Sequence, residues 1–482
     1  MRTPSLKRNI VMNAMLSISS LIFPLITFPY VSRILTPVGT GKVSFATSLI
    51  SYFSLFAQLG IPTYGVRACA KVRDNKEELT RTVHELLLLN LIMDFISYIA
   101  FFLSLRFVSR LHDDKMLYTV ISLTIFLTSI GMEWLYRALE QYTYITVRSI
   151  IFKFLALIGM FLLIHEKEDY LIYGALSIFA SSASNILNFI NARKYIGFKP
   201  VGKYNLNKHI KPILVFFSMS CATTIYGNLD SVMLGFIRTD VDVGYYGAAV
   251  KVKNILVGLV TSLGSVLLPR ASYFVEQGNI DEFNHITEKA LRFVCVVSLP
   301  LLLYFIVFSK ESILILSGSE YESAIIPMEF IMPTLFLIGL SNIMGLQILV
   351  PLGRERAVLY SEIGGAITNL IFNSLFIPFF AATGAAIGTV IAESVVLLVQ
   401  CYFLKNDLRR LFKGIRIWLV MLICVISAIF TGWIKLLPLN NMVIICVSSI
   451  LYFPLYVVLM VLGKDPIILE MIAAIKGKLR RI

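Results

Sequence analysis

The chain has 482 residues, of which 57% are apolar and 15% charged, and it carries a formal net charge of +14. Soluble domains carry about 25% charged residues, so a soluble globular protein is excluded and a polytopic membrane protein is indicated. Nucleic acid is not the partner that the positive charge implies, because the basic residues gather in short gaps between long apolar runs, as the positive-inside rule expects.

Residues 1–9 are basic and lead into an apolar run without a small-residue cleavage site, which reads as a start-transfer helix and not a removable leader. A spanning helix needs about 20 mainly apolar residues. Fourteen stretches qualify: 10–32, 43–66, 83–105, 116–136, 145–164, 170–192, 212–236, 244–269, 290–309, 325–350, 358–380, 383–404, 416–437 and 441–462. Pro24 and Pro29 fall inside the first, where each removes a backbone donor and bends the helix. Such breaks are tolerated at membrane depth where neighbouring helices or a polar cavity satisfy the freed carbonyls. The turn to the second span, RILTPVGTGK, is shaped by Pro37, Gly39 and Gly41 between Arg33 and Lys42.

An even number of spans places both termini on one side. That side carries 31 Lys and Arg against 9 on the other, so both termini are expected in the cytoplasm. The connections are all short, which leaves no room for a catalytic domain. Ile34, Thr36, Val38, Gly41 and Ala46 recur at an offset of 203 as Ile237, Thr239, Val241, Gly244 and Ala249. Gly174-Ala175 is echoed more weakly by Gly384-Ala385. Six spans per copy gives two copies of like orientation, the parallel kind of transporter repeat. The expected fold is therefore all-α and membrane-integral: an N-lobe over 1–205, a C-lobe over 206–404, and two further spans with a basic tail over 405–482. Trp418 and Trp433 stand about 22 Å apart along a helix, one for each interface of an aromatic belt. The tail DPIILEMIAAIKGKLRRI is amphipathic and basic, as an interfacial helix would be.

The six cysteines form no CxxC pair and read as free thiols. The five histidines are never at metal-ligand spacing, so no metal site is expected. No catalytic or nucleotide-binding signature occurs, so neither an enzyme nor an ATP-driven pump is indicated, and no cofactor is implied. The informative residues are charges kept inside the bilayer, which are expensive unless paired or hydrated. Glu133 and Arg137 stand four apart with the acid first, the order of an ion pair on one helix face. Lys153 lies about 7.5 Å deeper than Arg148. It either snorkels back to the surface or stands in a central cavity. Lys251 and Lys253, two apart, point to nearly opposite helix faces, so at most one lines a cavity. Asp94, Asp230 and Glu393 are the buried acids.

Five strings carry a family likeness: PYVSRILTPVGTGKVSFA, LGIPTYGVRACAK, EWLYRALEQYTYITVRSIIFK, NLDSVMLGFIRTDVDVGYYGAAVK and LPRASYFVEQGNIDEF. Together the likeness runs through most of residues 9–410. The chain resembles the bacterial lipid-linked oligosaccharide flippases (Wzx-type) of the multidrug, oligosaccharidyl-lipid and polysaccharide exporter superfamily. That resemblance implies a polyprenyl-diphosphate-linked oligosaccharide as substrate, moved from the inner to the outer leaflet of the bacterial cytoplasmic membrane for capsule, O-antigen or exopolysaccharide assembly. A polymerase of the same pathway is an implied partner, beside membrane lipids. Two phosphates cannot cross hydrocarbon unpaired, so Arg33, Arg148, Lys153 and Lys251 become the substrate candidates, the family motif falling on Lys251. Asp230, Asn369, Asn373 and Thr389 are similar to a cation site of the related lipid II flippases; the plainer reading is interhelical hydrogen bonding. Asp94 and Glu393 are the alternative protonation sites for coupling to H+ or Na+. A cation-coupled multidrug antiporter of the same superfamily is the competing reading, and a membrane polymerase or ligase a more distant one.

Overall fold

The computed structural model describes residues 6–470 and residue 473, and among these it contains helices and no strand. Residues 471, 472 and 474–482, which carry most of the expected interfacial tail, lie outside the described residues. The chain forms two compact units, Met1–Gly244 and Tyr245–Ile482.

The first unit opens with α1 (Leu6–Gln58) and α2 (Ile61–Val72), followed by α3 (Lys76–Phe107), α4 (Lys115–Gly131), α5 (Glu133–Ala138), α6 (Tyr142–Leu163), α7 (Tyr170–Ile178), α8 (Asn185–Asn191) and α9 (Asn207–Ile237). A straight helix of 53 residues would be about 80 Å long, far beyond a hydrocarbon core of about 30 Å. Helix α1 is broken at Thr36, whose φ of 59° and ψ of 179° are non-helical. Cross-helix contacts give the direction of each half. Thr146 donates to the Met12 carbonyl at 3.0 Å, Lys153 to Ser20 Oγ at 2.8 Å, and Tyr30 to the Ile164 carbonyl at 2.9 Å. Numbering rises together along both partners, so the first half runs parallel to α6. Lys42 bonds Asp114 at 2.8 Å and Gln58 bonds Ser129 at 2.9 Å. The second half therefore runs parallel to α4. Gly174 packs on Leu117 and Gly131 on Asn185, while Gly159 packs on Leu176 and Arg148 reaches Ser184. The α7–α8 segment is thus parallel to α4 and antiparallel to α6. The two halves of α1 are antiparallel, turned at Thr36, as the RILTPVGTGK turn requires.

The turn is tied to the other end of the same unit. A Cβ on Gly41 would overlap the Asp240 carbonyl and lie 2.9 Å from the Gly244 amide nitrogen. A Cβ on Gly244 would overlap the Pro37 carbonyl and lie 2.9 Å from Pro37 Cα. Gly41 with Gly244, and Pro37 with Asp240, are partners at the repeat offset of 203. The contact is reciprocal, as a two-fold interface is, and only glycine permits so close a backbone approach. Two ion pairs flank it. Asp114 accepts from Lys42 and, at 2.8 Å, from the Tyr170 hydroxyl, and Arg110 pairs with Asp240 while donating to the Gly235 carbonyl at 2.9 Å.

The second unit takes in α10 (Asp240–Glu276) beyond Gly244, then α11 (Ile280–Val307), α12 (Ser309–Ser317), α13 (Ile325–Ile331), α14 (Thr334–Asn342), α15 (Glu355–Phe403), α16 (Leu408–Leu411), α17 (Ile417–Gly432) and α18 (Asn441–Leu462). Helix α15 is also a hairpin, broken at Ala381 (φ 48°, ψ −125°). Gln400 bonds Ser361 at 3.2 Å, Gly388 faces the Asn373 amide, and Gly384 faces the Phe376 carbonyl, so the legs run antiparallel. Elsewhere a proline inside α11, Pro300, removes the donor that would bond the Val296 carbonyl. That carbonyl accepts instead from the buried Tyr456 hydroxyl of α18 at 2.8 Å, the repair a membrane interior demands. Replacing Tyr456 with Phe is expected to cost about 1 kcal/mol of stability, read as a lower melting temperature in detergent.

Among the described residues eleven helices are long and apolar enough to cross a membrane, or twelve with a bent pair over 319–331 and 334–349. Helices α1 and α15, each folded on itself, are among them.

Candidate functional site

Within the first unit the predicted cations take different surroundings. Arg148 is 6% exposed. Its guanidinium donates to the Ser184 carbonyl at 2.9 Å and to Asn185 Oδ1 at 3.1 Å, and it lies 3.6 Å from Glu133. Glu133 also accepts from Arg137 at 2.7 Å, so the expected i,i+4 pair is present and extends to Arg148. This cluster braces α5, α6 and α8. Lys153 differs. Half-buried on α6, its ammonium donates to the hydroxyls of Ser19 and Ser20 on α1, at 2.9 and 2.8 Å, with no carboxylate at ion-pair distance among the described residues. The ammonium thus points along α1 into neutral acceptors, which orient it without neutralising it. Arg33 is exposed, at the end of α1's first half, and donates to the Pro29 carbonyl one turn earlier.

Two acids belong to the same unit. Asp230 is buried on α9. Asp94, on α3, is 3% exposed and accepts from Ser129 Oγ at 2.8 Å. Ser129 in turn accepts from Gln58 Nε2 at 2.9 Å. Gln58 lines a cavity of about 350 Å³ between the second half of α1, α4 and α9, whose other polar walls include Thr47, Ser51, Ser54, Thr124 and Thr224. Thr47, Ser51, Ser54 and Gln58 stand on one face of α1, a spacing visible in the sequence, but that Thr124 of α4 and Ser220 and Thr224 of α9 face them was not, since serine and threonine are common in spans. A third buried acid, Glu85, accepts from Lys208 Nζ at 2.7 Å, from His209 Nε2 at 2.8 Å and from the Asn205 amide at 2.7 Å.

In the second unit Lys251 is half-buried on α10. The hairpin α15 brings Asn369 and Asn373 of one leg together with Thr389 and Glu393 of the other. All four are buried. Asn373 donates to Asn369 Oδ1 at 3.0 Å, and Thr389 donates to the Ala385 carbonyl at 2.9 Å and bonds Tyr246 of α10 at 3.2 Å. The hydrogen-bonding reading of these residues is therefore satisfied in part by the hairpin itself. Asp230, the fourth member of the predicted set, belongs to the first unit. No cluster of three or more His, Cys, Asp or Glu suited to a metal occurs among the described residues.

The arrangement is that of a helical transporter: antiparallel hairpins, buried charges on several spans, and a cavity whose largely apolar wall carries scattered hydroxyls. Among solved structures, the fold is similar to that of "Lipid II flippase MurJ, inward closed conformation", with a TM-score of 0.74 at 16% identity over 94% of this chain and 98% of that one. It is also similar to an outward-facing multidrug resistance MATE family transporter of the MOP superfamily, with a TM-score of 0.52 at 14% identity over 84% and 95%. In sequence it is 24% identical over 409 residues to a "Putative O-antigen transporter" of Escherichia coli strain K12, covering 84% of this chain and 97% of that protein. The MatE family matches residues 216–375. The family described as "Polysaccharide biosynthesis protein" matches residues 6–275, more than half of the chain, and the chain belongs to that family.

Proposed function

We propose that this protein is a flippase that moves polyprenyl-diphosphate-linked oligosaccharide units from the inner to the outer leaflet of a bacterial cytoplasmic membrane, supplying capsule, O-antigen or exopolysaccharide assembly. The family, the near full-length likeness to an O-antigen transporter homologue and the MurJ-like fold support it. It is a translocator and not an enzyme. The observation that carries the reading to this chain's residues is Lys153, a half-buried cation on a spanning helix held by two neutral hydroxyls. A sugar diphosphate needs such charge along its path, since unpaired phosphate in hydrocarbon is prohibitive. Lys251 supplies the second cation, Arg33 marks the outer mouth, and Arg148 braces the cytoplasmic end. The polyprenyl tail stays in lipid.

Counting α1 and α15 as two spans each gives fourteen, with lobes over 1–205 and 206–404 and two further spans. The charge bias places both termini in the cytoplasm, so the Gly41–Gly244 contact closes the outer side. Alternating access follows from rocking of the like-oriented lobes, driven by an ion gradient. Its candidate sites are Asp94, Asp230 and the α15 set of Asn369, Asn373, Thr389 and Glu393. A polymerase acting at the outer face would take the product. The MatE match over 216–375 favours a second reading, a cation-coupled drug antiporter. Such a protein needs acids rather than ammonium groups facing its substrate.

Depletion of the protein in its host is expected to leave lipid-linked repeat units on the cytoplasmic leaflet, closed to an enzyme probe added outside spheroplasts. Accumulation on the outer leaflet would point to a polymerase, and normal transfer with altered drug resistance to the antiporter.

A further inference from the structure

A groove of about 280 Å³ opens on the first unit between α3, α8 and the loop that joins α8 to α9. Its wall is apolar at Leu88 and Leu91 of α3, Phe189 of α8 and Phe198 of the loop, and polar at His84 and Tyr204. The loop is strapped to α3. The Gly197 amide donates to Thr80 Oγ1 at 3.1 Å, and His84 bonds the Gly197 carbonyl at 2.9 Å and the Tyr204 hydroxyl at 3.0 Å. The Asn205 amide donates to Glu85 at 2.7 Å.

The rim of the groove is cationic. Residues 193–211 hold six Lys and Arg and no Asp or Glu. Lys208 is paired with Glu85, whereas Lys199 and Lys203 are exposed, with no carboxylate at ion-pair distance among the described residues. Arg81 of α3 is lodged against the same loop, where a Cβ on Gly202 would overlap its guanidinium. Among the described residues its Nε is buried without an acceptor, and neither Glu77 nor Glu78 in the turn before it lies at ion-pair distance. Arg81, His84, Leu88 and Leu91 stand at i, i+3, i+7 and i+10, one stripe of α3. The stripe passes from cation through imidazole to hydrocarbon over about 15 Å, half of a hydrocarbon core of about 30 Å. A phospholipid runs through the same order of chemistry over the same depth, and its phosphate is the acceptor that an unpaired guanidinium lacks.

We propose that this groove binds an anionic phospholipid of the leaflet that meets the basic loop, the inner one by the charge bias. The phosphate accepts from Arg81, with Lys199 and Lys203 beside it, and one acyl chain lies along Leu88 and Leu91 between Phe189 and Phe198. A zwitterionic lipid fits the apolar wall as well, but brings its own cation to a rim of three cations, so charge makes the choice. A polyprenyl tail is the poorer occupant, being methyl-branched and far longer than the stripe. The bound lipid bridges α3 and the loop, and so holds the strap that leads into α9. This site is separate from the translocation path and does not depend on what the protein transports.

Fluorescence quenching of the full chain carrying Leu88→Trp, in bilayers with chain-brominated phosphatidylglycerol or phosphatidylcholine, tests this. The parent chain, run in parallel, gives the background of its own three tryptophans. Phosphatidylglycerol is expected to occupy the groove about five times more tightly than phosphatidylcholine, or better, at low salt. Lys199→Gln with Lys203→Gln, on exposed side chains, is expected to lower that preference, and adding Arg81→Gln to remove it. The double variant decides the matter even if Arg81→Gln disturbs the loop. Equal binding of the two lipids would mean ordinary boundary lipid and overturn the proposal, as would a preference that survives all three substitutions. Relief of the quenching by equimolar polyprenyl phosphate would overturn it too, by giving the groove to that lipid.

Discussion

Lys153→Ala and Lys251→Ala are each expected to reduce polymer export to background while the protein still reaches the membrane at normal level. A hydrogen bond to a charged group contributes about 1.5–3 kcal/mol, and one lost from the path of a diphosphate slows passage by about 10- to 150-fold. Lys153 is the sharper case. Among the described residues its ammonium bonds the Ser19 and Ser20 hydroxyls and no carboxylate lies at ion-pair distance, so removing it breaks no ion pair there. The effect then falls on transport and not on folding. Ser19→Ala with Ser20→Ala keeps the cation but loses its orientation, and a partial defect is expected. Quantifying surface polymer and membrane-fraction protein together checks both halves. Full export from both lysine variants would make snorkelling the better account.

Gly41→Val and Gly244→Val are expected to damage transport as severely, by a different route. The added side chain would meet the backbone of Asp240 or Pro37, which cannot rotate away. Overpacking of this kind costs about 1–3 kcal/mol, enough to shift a two-state equilibrium by about 5- to 150-fold. The closure proposed for this contact is then depopulated. Thr40, buried beside the contact, reports it: with the six native cysteines replaced, a Thr40→Cys thiol is expected to resist an impermeant maleimide and to become reactive when Gly244→Val is added. Continued protection together with normal export would show that the contact is not a closure.

Much of this was legible in the sequence because membrane solvation is a strong constraint. Runs of about 20 apolar residues gave the helices, and the turn residues Pro37, Gly39 and Gly41 marked where α1 reverses. The offset of 203 between Gly41 and Gly244 was visible as a pattern, but that the two glycines touch was not: a repeat states equivalence, and contact requires the fold. For single charges, type and depth were legible and partners were not. Arg148 and Lys153 stood as equals until the first proved to be tied to Glu133 and Asn185 and the second to the hydroxyls of Ser19 and Ser20. The row of Thr47, Ser51, Ser54 and Gln58 on α1 was missed, although its helical spacing was the available signal.

The most direct test is transbilayer movement in liposomes made with the purified full chain and a polyprenyl-diphosphate oligosaccharide, followed by enzymatic access to the sugar from outside. We expect movement that depends on the protein, is lost in Lys153→Ala, and is accelerated by an imposed H+ or Na+ gradient. Sugar lipid that crosses no faster than in protein-free vesicles, with gradient imposed, would contradict the account.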